Sequence, residues 1–184
     1  IIQASLNIVF FCLNSFHAGM NLQTLQKKVD EGVNFMYNRK MQIFMIQLQV
    51  AQRSVLKLIG TEEKPKHVSA DEENILIATN NSVKTTYYFQ NAYMSFMYRL
   101  YDDSKQYTEK YLDCIVNTWP VLLVAHSHHA FYIGLISFWL ARKSRDGQNW
   151  REKGSRCKFA IQKWAESSLW TFENNWFLLE AEES

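Results

Sequence analysis

The sequence predicts an all-α protein, on three observations. Apolar residues recur three and four apart nearly everywhere, which places them on one face of successive helices. Only six Gly and two Pro occur in 184 residues, too little turn chemistry for a sandwich or barrel of many short strands. Helix-capping residues stand at the breaks between the apolar stripes. Together these give about eight helices with short connections, so consecutive helices form antiparallel hairpins.

The opening IIQASLNIVFFCLNSF is interrupted by Gln3, Asn7 and Asn14 and lacks a small-residue cleavage pattern, so it reads as a packed first helix rather than a signal peptide. Gly19 closes it. Asn21 caps a second helix whose stripe is Leu22, Leu25, Val29, Val33 and Met36. A third stripe, Met41, Phe44, Leu48, Ala51, Val55 and Leu58, ends at Gly60 in a left-handed turn. Residues 61–73 are polar, contain Pro65, and finish with Ser69 three before Glu72, the spacing of a capping box that starts a short helix over Ala70–Thr79. A long helix follows with Phe89, Tyr93, Phe96, Met97 and Leu100, running into a turn at Asp102–Asp103–Ser104. Its partner carries Tyr107, Tyr111, Cys114, Ile115 and Thr118 and stops at Pro120, which cannot continue a helical ladder. Then come a helix over about Val121–Arg142, a polar loop over Lys143–Asn149, a helix over about Glu152–Glu166, and a last one over about Leu169–Glu183.

Twenty basic and 18 acidic residues are scattered without a basic block, which argues against a nucleic-acid partner. Cys12, Cys114 and Cys157 are odd in number, far apart and set in apolar helical patterns, as expected of buried thiols in a reducing, cytoplasmic setting. The chain starts without an initiator Met and stops directly after an aromatic-rich helix. It reads as one helical repeat domain over residues 1–184, part of a longer multidomain chain.

Val121–Lys143 admits three readings. No formally charged residue lies between Cys114 and Ala141, the length of a membrane span, but His126, Ser127, His128 and His129 occupy its centre and Asn117 and Pro120 precede them. A buried helix of a protein outside the membrane fits better. His126 and His129, three apart, share a helix face and are the candidate metal ligands. A structural site needs about four converging ligands, and the sequence offers no HExxH, no paired CxxC and no acidic residue at helical spacing to complete one. The favoured expectation is therefore that the histidines pack at a helix start and that the chain uses no metal or cofactor.

Catalytic signatures are missing as well. No GxSxG turn and no phosphate loop occur, since Gly60–Thr61 with Lys64 lacks the second glycine and the GK[ST] ending. Asp102 with Asp103 reads as a turn cap. Glu180, Glu182 and Glu183 read as a solvated helix end. The aromatic residues concentrate in the last two thirds, mostly as inter-helix packing, and Tyr98, Tyr101, Trp150 and Trp170 are the candidate rings of an interaction surface.

Internal comparison adds a repeat. Tyr93, Phe96, Met97 and Leu100 recur as Tyr132, Leu135, Ile136 and Trp139 at an offset of 39, and Tyr111, Cys114 and Ile115 as Cys157, Ala160 and Ile161 at an offset of 46. Both offsets fall in the range of about 34–47 residues typical of helical repeats.

Four segments carry a family resemblance: YNRKMQIFMIQLQVAQRSVLKLIG (37–60), YMSFMYRLYDDSKQYTEKYLD (93–113), HAFYIGLISFWLARK (129–143) and AIQKWAESSLWTFENNWFLLEAE (160–182). In that order they resemble the tetratricopeptide-like helical region of very large multidomain sensor proteins that join a protein-kinase-like domain, an AAA-type ATPase and often GAF and histidine-kinase domains. The resemblance implies hairpins stacked as a right-handed array. It also implies a non-catalytic scaffold that contacts other domains of the same chain or a protein partner. None of that family's catalytic residues maps onto this sequence, and Ser95 stands where the repeat register places Gly134. The alternative function is a helical bundle that binds a small ligand or a metal.

Overall fold

The computed structural model describes residues 1–61, 69–115 and 123–184, with the side chains of residues 123–126 outside the described set. Pro65, Asn117, Thr118 and Pro120 lie outside it too. The described residues are all-α, with nine helices and no strand among them. They are α1 (Ile2–His17), α2 (Leu22–Asn38), α3 (Gln42–Ile59), α4 (Ala70–Thr79), α5 (Asn81–Met97), α6 (Tyr101–Ile115), α7 (Leu123–Lys143), α8 (Gly147–Ser167) and α9 (Leu169–Glu183).

Several ends follow the capping chemistry. The Asn21 side chain accepts a hydrogen bond from the Thr24 amide at 3.1 Å. Gly60 takes φ +85° after α3, a conformation that a residue with a Cβ adopts only at a steric cost. Ser69 and Glu72 exchange both bonds of the capping box at the start of α4.

Two boundaries differ from the sequence expectation. Helix α5 ends at Met97 because Arg99 turns left-handed at φ 58°, so Leu100 is outside the helix and Asp102 and Asp103 fall in the first turn of α6. There their charge complements the positive end of the helix dipole. Helix α8 starts at Gly147, five residues earlier than expected. Asn149 donates to the Asp146 carboxylate at 2.8 Å, the Asp146 amide donates to Ser144 Oγ at 3.1 Å, and Trp150 is driven into the core at 1 % exposure.

The chain divides into two compact units, Ile1–Gln90 with Asp113–Ile115 and Asn91–Leu112 with Val116–Ser184. In the first unit α1, α2 and α3 pack against one another. The α2 stripe Leu25, Val29, Val33 and Met36 is fully buried together with Ile46, Leu48 and Val55 of α3 and Val9 and Cys12 of α1. Each such side chain contributes roughly 1.5–3 kcal/mol by leaving water. A bidentate Arg53–Glu73 ion pair joins α3 to α4, and Gln47 donates to Ser82 at 2.8 Å and to Thr86 at 3.2 Å on α5.

In the second unit α7, α8 and α9 pack against one another. Ala130, Phe138, Ile161 and Leu179 form the cluster at their centre, and Phe131, Leu135, Trp164, Phe172 and Trp176 surround it. A glycine sets the distance between α7 and α8, because a Cβ on Gly154 would meet the Phe138 ring at 2.7 Å.

Candidate functional site

The histidines of α7 are the first place to look for chemistry. His126 is in the helix, but its side chain lies outside the described residues. His129 Nδ1 is hydrogen-bonded to the Tyr111 hydroxyl at 3.0 Å, and the two rings meet edge to face at 5.6 Å. Burial lowers the pKa of His128, favouring the neutral ring. One turn on, Tyr132 meets Tyr93 at 4.8 Å, and burial pushes the Tyr93 phenol up to about 12. Among the described residues no group of three or more His, Cys, Asp or Glu is placed to hold a metal ion. His129 therefore joins helix α7 to Tyr111 of α6, a packing contact with a polar core.

The cysteines are not activated. Burial raises the Cys12 thiol to about 11, slightly offset by Lys28, and the Cys157 thiol to about 12. Cys114 is raised as well, again by burial first. A thiolate nucleophile requires the opposite shift. None of the three forms a disulfide.

The four candidate interaction rings separate. Trp150 is a core residue, with the Lys153 ammonium 4.1 Å from its ring centre, and belongs to no exposed surface. Tyr101 packs on Trp139 at 5.7 Å in a group that includes Phe96, Arg99 and Lys143, so its ring is half-buried as an inter-helix contact. Tyr98 is 40 % exposed just beyond the end of α5. Trp170 is 98 % exposed.

Trp170 is not an isolated exposed ring. On α9 it shares an outward face with Phe177, Leu178 and Ala181, all exposed, with Asn174 between them. The opposite face of the same helix carries Phe172, Trp176 and Leu179 into the α7–α8–α9 core. A helix at a protein surface ordinarily shows one apolar face and one polar face. Helix α9 has two apolar faces, the outer one interrupted by Asn174, with its other uncommitted polar residues on the flanks between them.

The glutamates at its end do more than solvate a terminus. Glu182 pairs with Arg142 of α7, while Glu183 pairs with Lys158 of α8 and accepts from Ser155. Those contacts hold the Glu183 carboxyl below its ordinary pKa, with the Lys158 hydrogen bond contributing most. They tie the end of α9 to α7 and α8 with the Phe172, Trp176 and Leu179 face inward.

A second feature appears in the first unit, where α1 and α2 leave an open groove of about 530 Å³ lined by Ile8, Phe11, Cys12, Gly32 and Phe35, with Asn7, Lys28 and Glu31 also lining it. Single-helix periodicity gives no sign of it, since it arises from how two helices diverge. Of the outward face of α9 the sequence singles out only Trp170; the signal for the rest is that apolar residues fall on both sides of the helix, Trp170, Phe177 and Leu178 against Phe172, Trp176 and Leu179. Among the described residues no helix is long and apolar enough to cross a membrane. No family model, curated protein or solved structure matches the chain.

Proposed function

We propose that residues 1–184 act as a non-catalytic helical scaffold that works by contacts with other domains of its own chain or with a protein partner. The observation that carries this reading is the outward face of α9, where a 98 % exposed tryptophan and three more apolar side chains stand in water on a helix whose other face is already packed. Exposed aromatic anchors in a row are the composition of a contact surface.

Three further features support it. Tyr93 and Tyr132, the first pair of the 39-residue echo, touch each other, as equivalent positions of neighbouring repeats do. Among the described residues, His129, Tyr111, Tyr93 and Tyr132 are engaged in packing, and burial raises the pKa of all three thiols. The segment resemblance to the tetratricopeptide-like region of large ATPase- and kinase-bearing sensor proteins points the same way, to a right-handed stack of hairpins in a cytoplasmic signalling chain. The echo has a limit, because Met97 and Leu100 are exposed while their counterparts Ile136 and Trp139 are buried.

The test sets helical peptides against small ligands. Labelled amphipathic peptides with neutral, acidic or basic flanks are titrated by fluorescence anisotropy, and melting is followed with and without Zn²⁺. At least one peptide is expected to bind, with no effect of Zn²⁺ on melting. No peptide binding, together with a Zn²⁺-dependent rise in melting temperature that is lost in His126→Ala/His129→Ala, would replace the scaffold by the metal-binding bundle.

A further inference from the structure

The charge on α9 narrows what covers it. The helix holds four glutamates and no lysine, arginine or histidine. Glu182 and Glu183 are committed to Arg142 and Lys158 within the unit. Glu173 and Glu180 are not, and neither has an ion-pair or hydrogen-bond partner for its carboxylate among the described residues. They are seven apart, two turns of helix, which puts them on the same flank of the stripe formed by Trp170, Phe177, Leu178 and Ala181. The other flank is Thr171, Asn175 and Glu182, the last already neutralised by Arg142 of α7, so α9 itself supplies no cation to either edge and the carboxylates of Glu173 and Glu180 are left over.

This arrangement has the parts of a helix–helix seam: an apolar row with charged positions along its edge, the charges selecting the partner. We propose that the outward face of α9 docks an amphipathic α-helix of a protein partner whose apolar row is edged by lysine or arginine. The proposal rests on the scaffold reading and specifies the partner's chemistry. The partner's apolar row covers Trp170 and Phe177, while its basic edge faces Glu173 and Glu180. A second copy of α9 is a poor occupant, because the helix supplies no cation of its own to face Glu173 and Glu180 of its twin. Like charges across such a seam are destabilising.

Helix α9 differs in this respect from α2, the most amphipathic helix of the first unit. On α2 Leu25, Val29, Val33 and Met36 are buried, and its exposed residues include Lys27, Lys28 and Glu31. On α9 the outer stripe sets Trp170, Phe177, Leu178 and Ala181 in water, with Asn174 as its one polar position.

Two designed peptides of equal length decide the matter, each with the same leucine row and differing only in lysine or glutamate at the edge positions. They are titrated by anisotropy against the whole chain and located by hydrogen exchange. The lysine-edged peptide is expected to bind and to protect α9, with the glutamate-edged peptide weaker by at least about tenfold. Trp170→Ala should weaken the first peptide by at least about tenfold, as loss of a central aromatic anchor does. Glu173→Lys with Glu180→Lys should reverse the preference. Circular dichroism melting of each variant checks that it folds, which is expected because these side chains lie at the surface. Equal affinity for both peptides, or no effect of the Glu173 and Glu180 changes, overturns the proposal. Protection at the α1–α2 groove instead of α9 also overturns it while leaving the scaffold reading in place. Binding by no peptide of any flank charge, with a Zn²⁺-dependent melt, removes both.

Discussion

The α1–α2–α3 and α7–α8–α9 packings solve the same problem with different materials. Each has an interior glycine where helices come close. A Cβ on Gly32 would meet Ile8 Cγ2 and Leu48 Cδ1, both at 2.9 Å, whereas one on Gly154 would meet three atoms of the Phe138 ring at 2.7–2.9 Å. The first packing is aliphatic and leaves a groove between α1 and α2. The second is aromatic, filled by Phe131, Phe138, Trp164, Phe172 and Trp176, and has apolar side chains left over for its outer surface. Apolar content in excess of what a core absorbs ends up either as a lined groove or as an outward face, and the face on α9 carries an acidic edge as well.

The sharpest break in that comparison comes from cutting a ring out of each packing. Phe138→Ala removes a fully buried ring from the second and is expected to cost about 3–5 kcal/mol in urea unfolding. Phe11→Ala, at the groove and 48 % exposed, should cost only about 1 kcal/mol because half of its surface is already in water. Similar losses at the two sites would mean that the groove is closed in solution.

Next in size are the glycines. Gly154→Ala forces a methyl group against a rigid ring and should destabilise by about 1–3 kcal/mol, even after the better helix propensity of alanine is counted. Gly32→Ala meets the ends of two aliphatic side chains that can rotate away, so its melting temperature should fall by less. The reverse order would show that the aliphatic packing is the tighter one.

The smallest effect is electrostatic and confined to the second packing. The Glu183 pKa is lower in the fold than in the unfolded chain, so the stabilisation is fully present above the ordinary value of 4.5 and is lost as pH falls through the lowered folded value. Lys158→Met should cost under about 1 kcal/mol at neutral pH, as part-exposed ion pairs do, and should flatten the acid side of the stability profile. An unchanged acid limb would show that Lys158 does not hold the end of α9.

Much of this fold was legible in the sequence because helices announce themselves through single-chain periodicity. The α2 stripe, the Asn21 cap, the Gly60 turn and the Ser69–Glu72 box all appear where spacing and side-chain chemistry put them. Tertiary facts were not legible. Trp150 reads as a candidate surface ring until α8 is seen to begin at Gly147 and carry it inward. Helix α6 hides Ser104, Thr108 and Tyr111 as its buried face, a polar stripe that hydrophobic periodicity passes over. Arg99 ends α5 early through a left-handed backbone that no glycine foretells. For α9 periodicity is silent about orientation, since both faces are apolar; the fold buries Phe172, Trp176 and Leu179, and Glu182 and Glu183 reach Arg142 and Lys158 from the end of that helix.

That double face is the centre of the account, and two adjacent residues test it. Leu179 is fully buried on the inner face, while Leu178 is 52 % exposed on the outer one. Measured by urea unfolding, Leu179→Ala is predicted to destabilise by about 2–5 kcal/mol. Leu178→Ala is predicted to stay within about 0.5 kcal/mol of the parent. Equal losses at both positions would mean that the outer face is already covered within the fold, and would contradict a face left open for a partner helix.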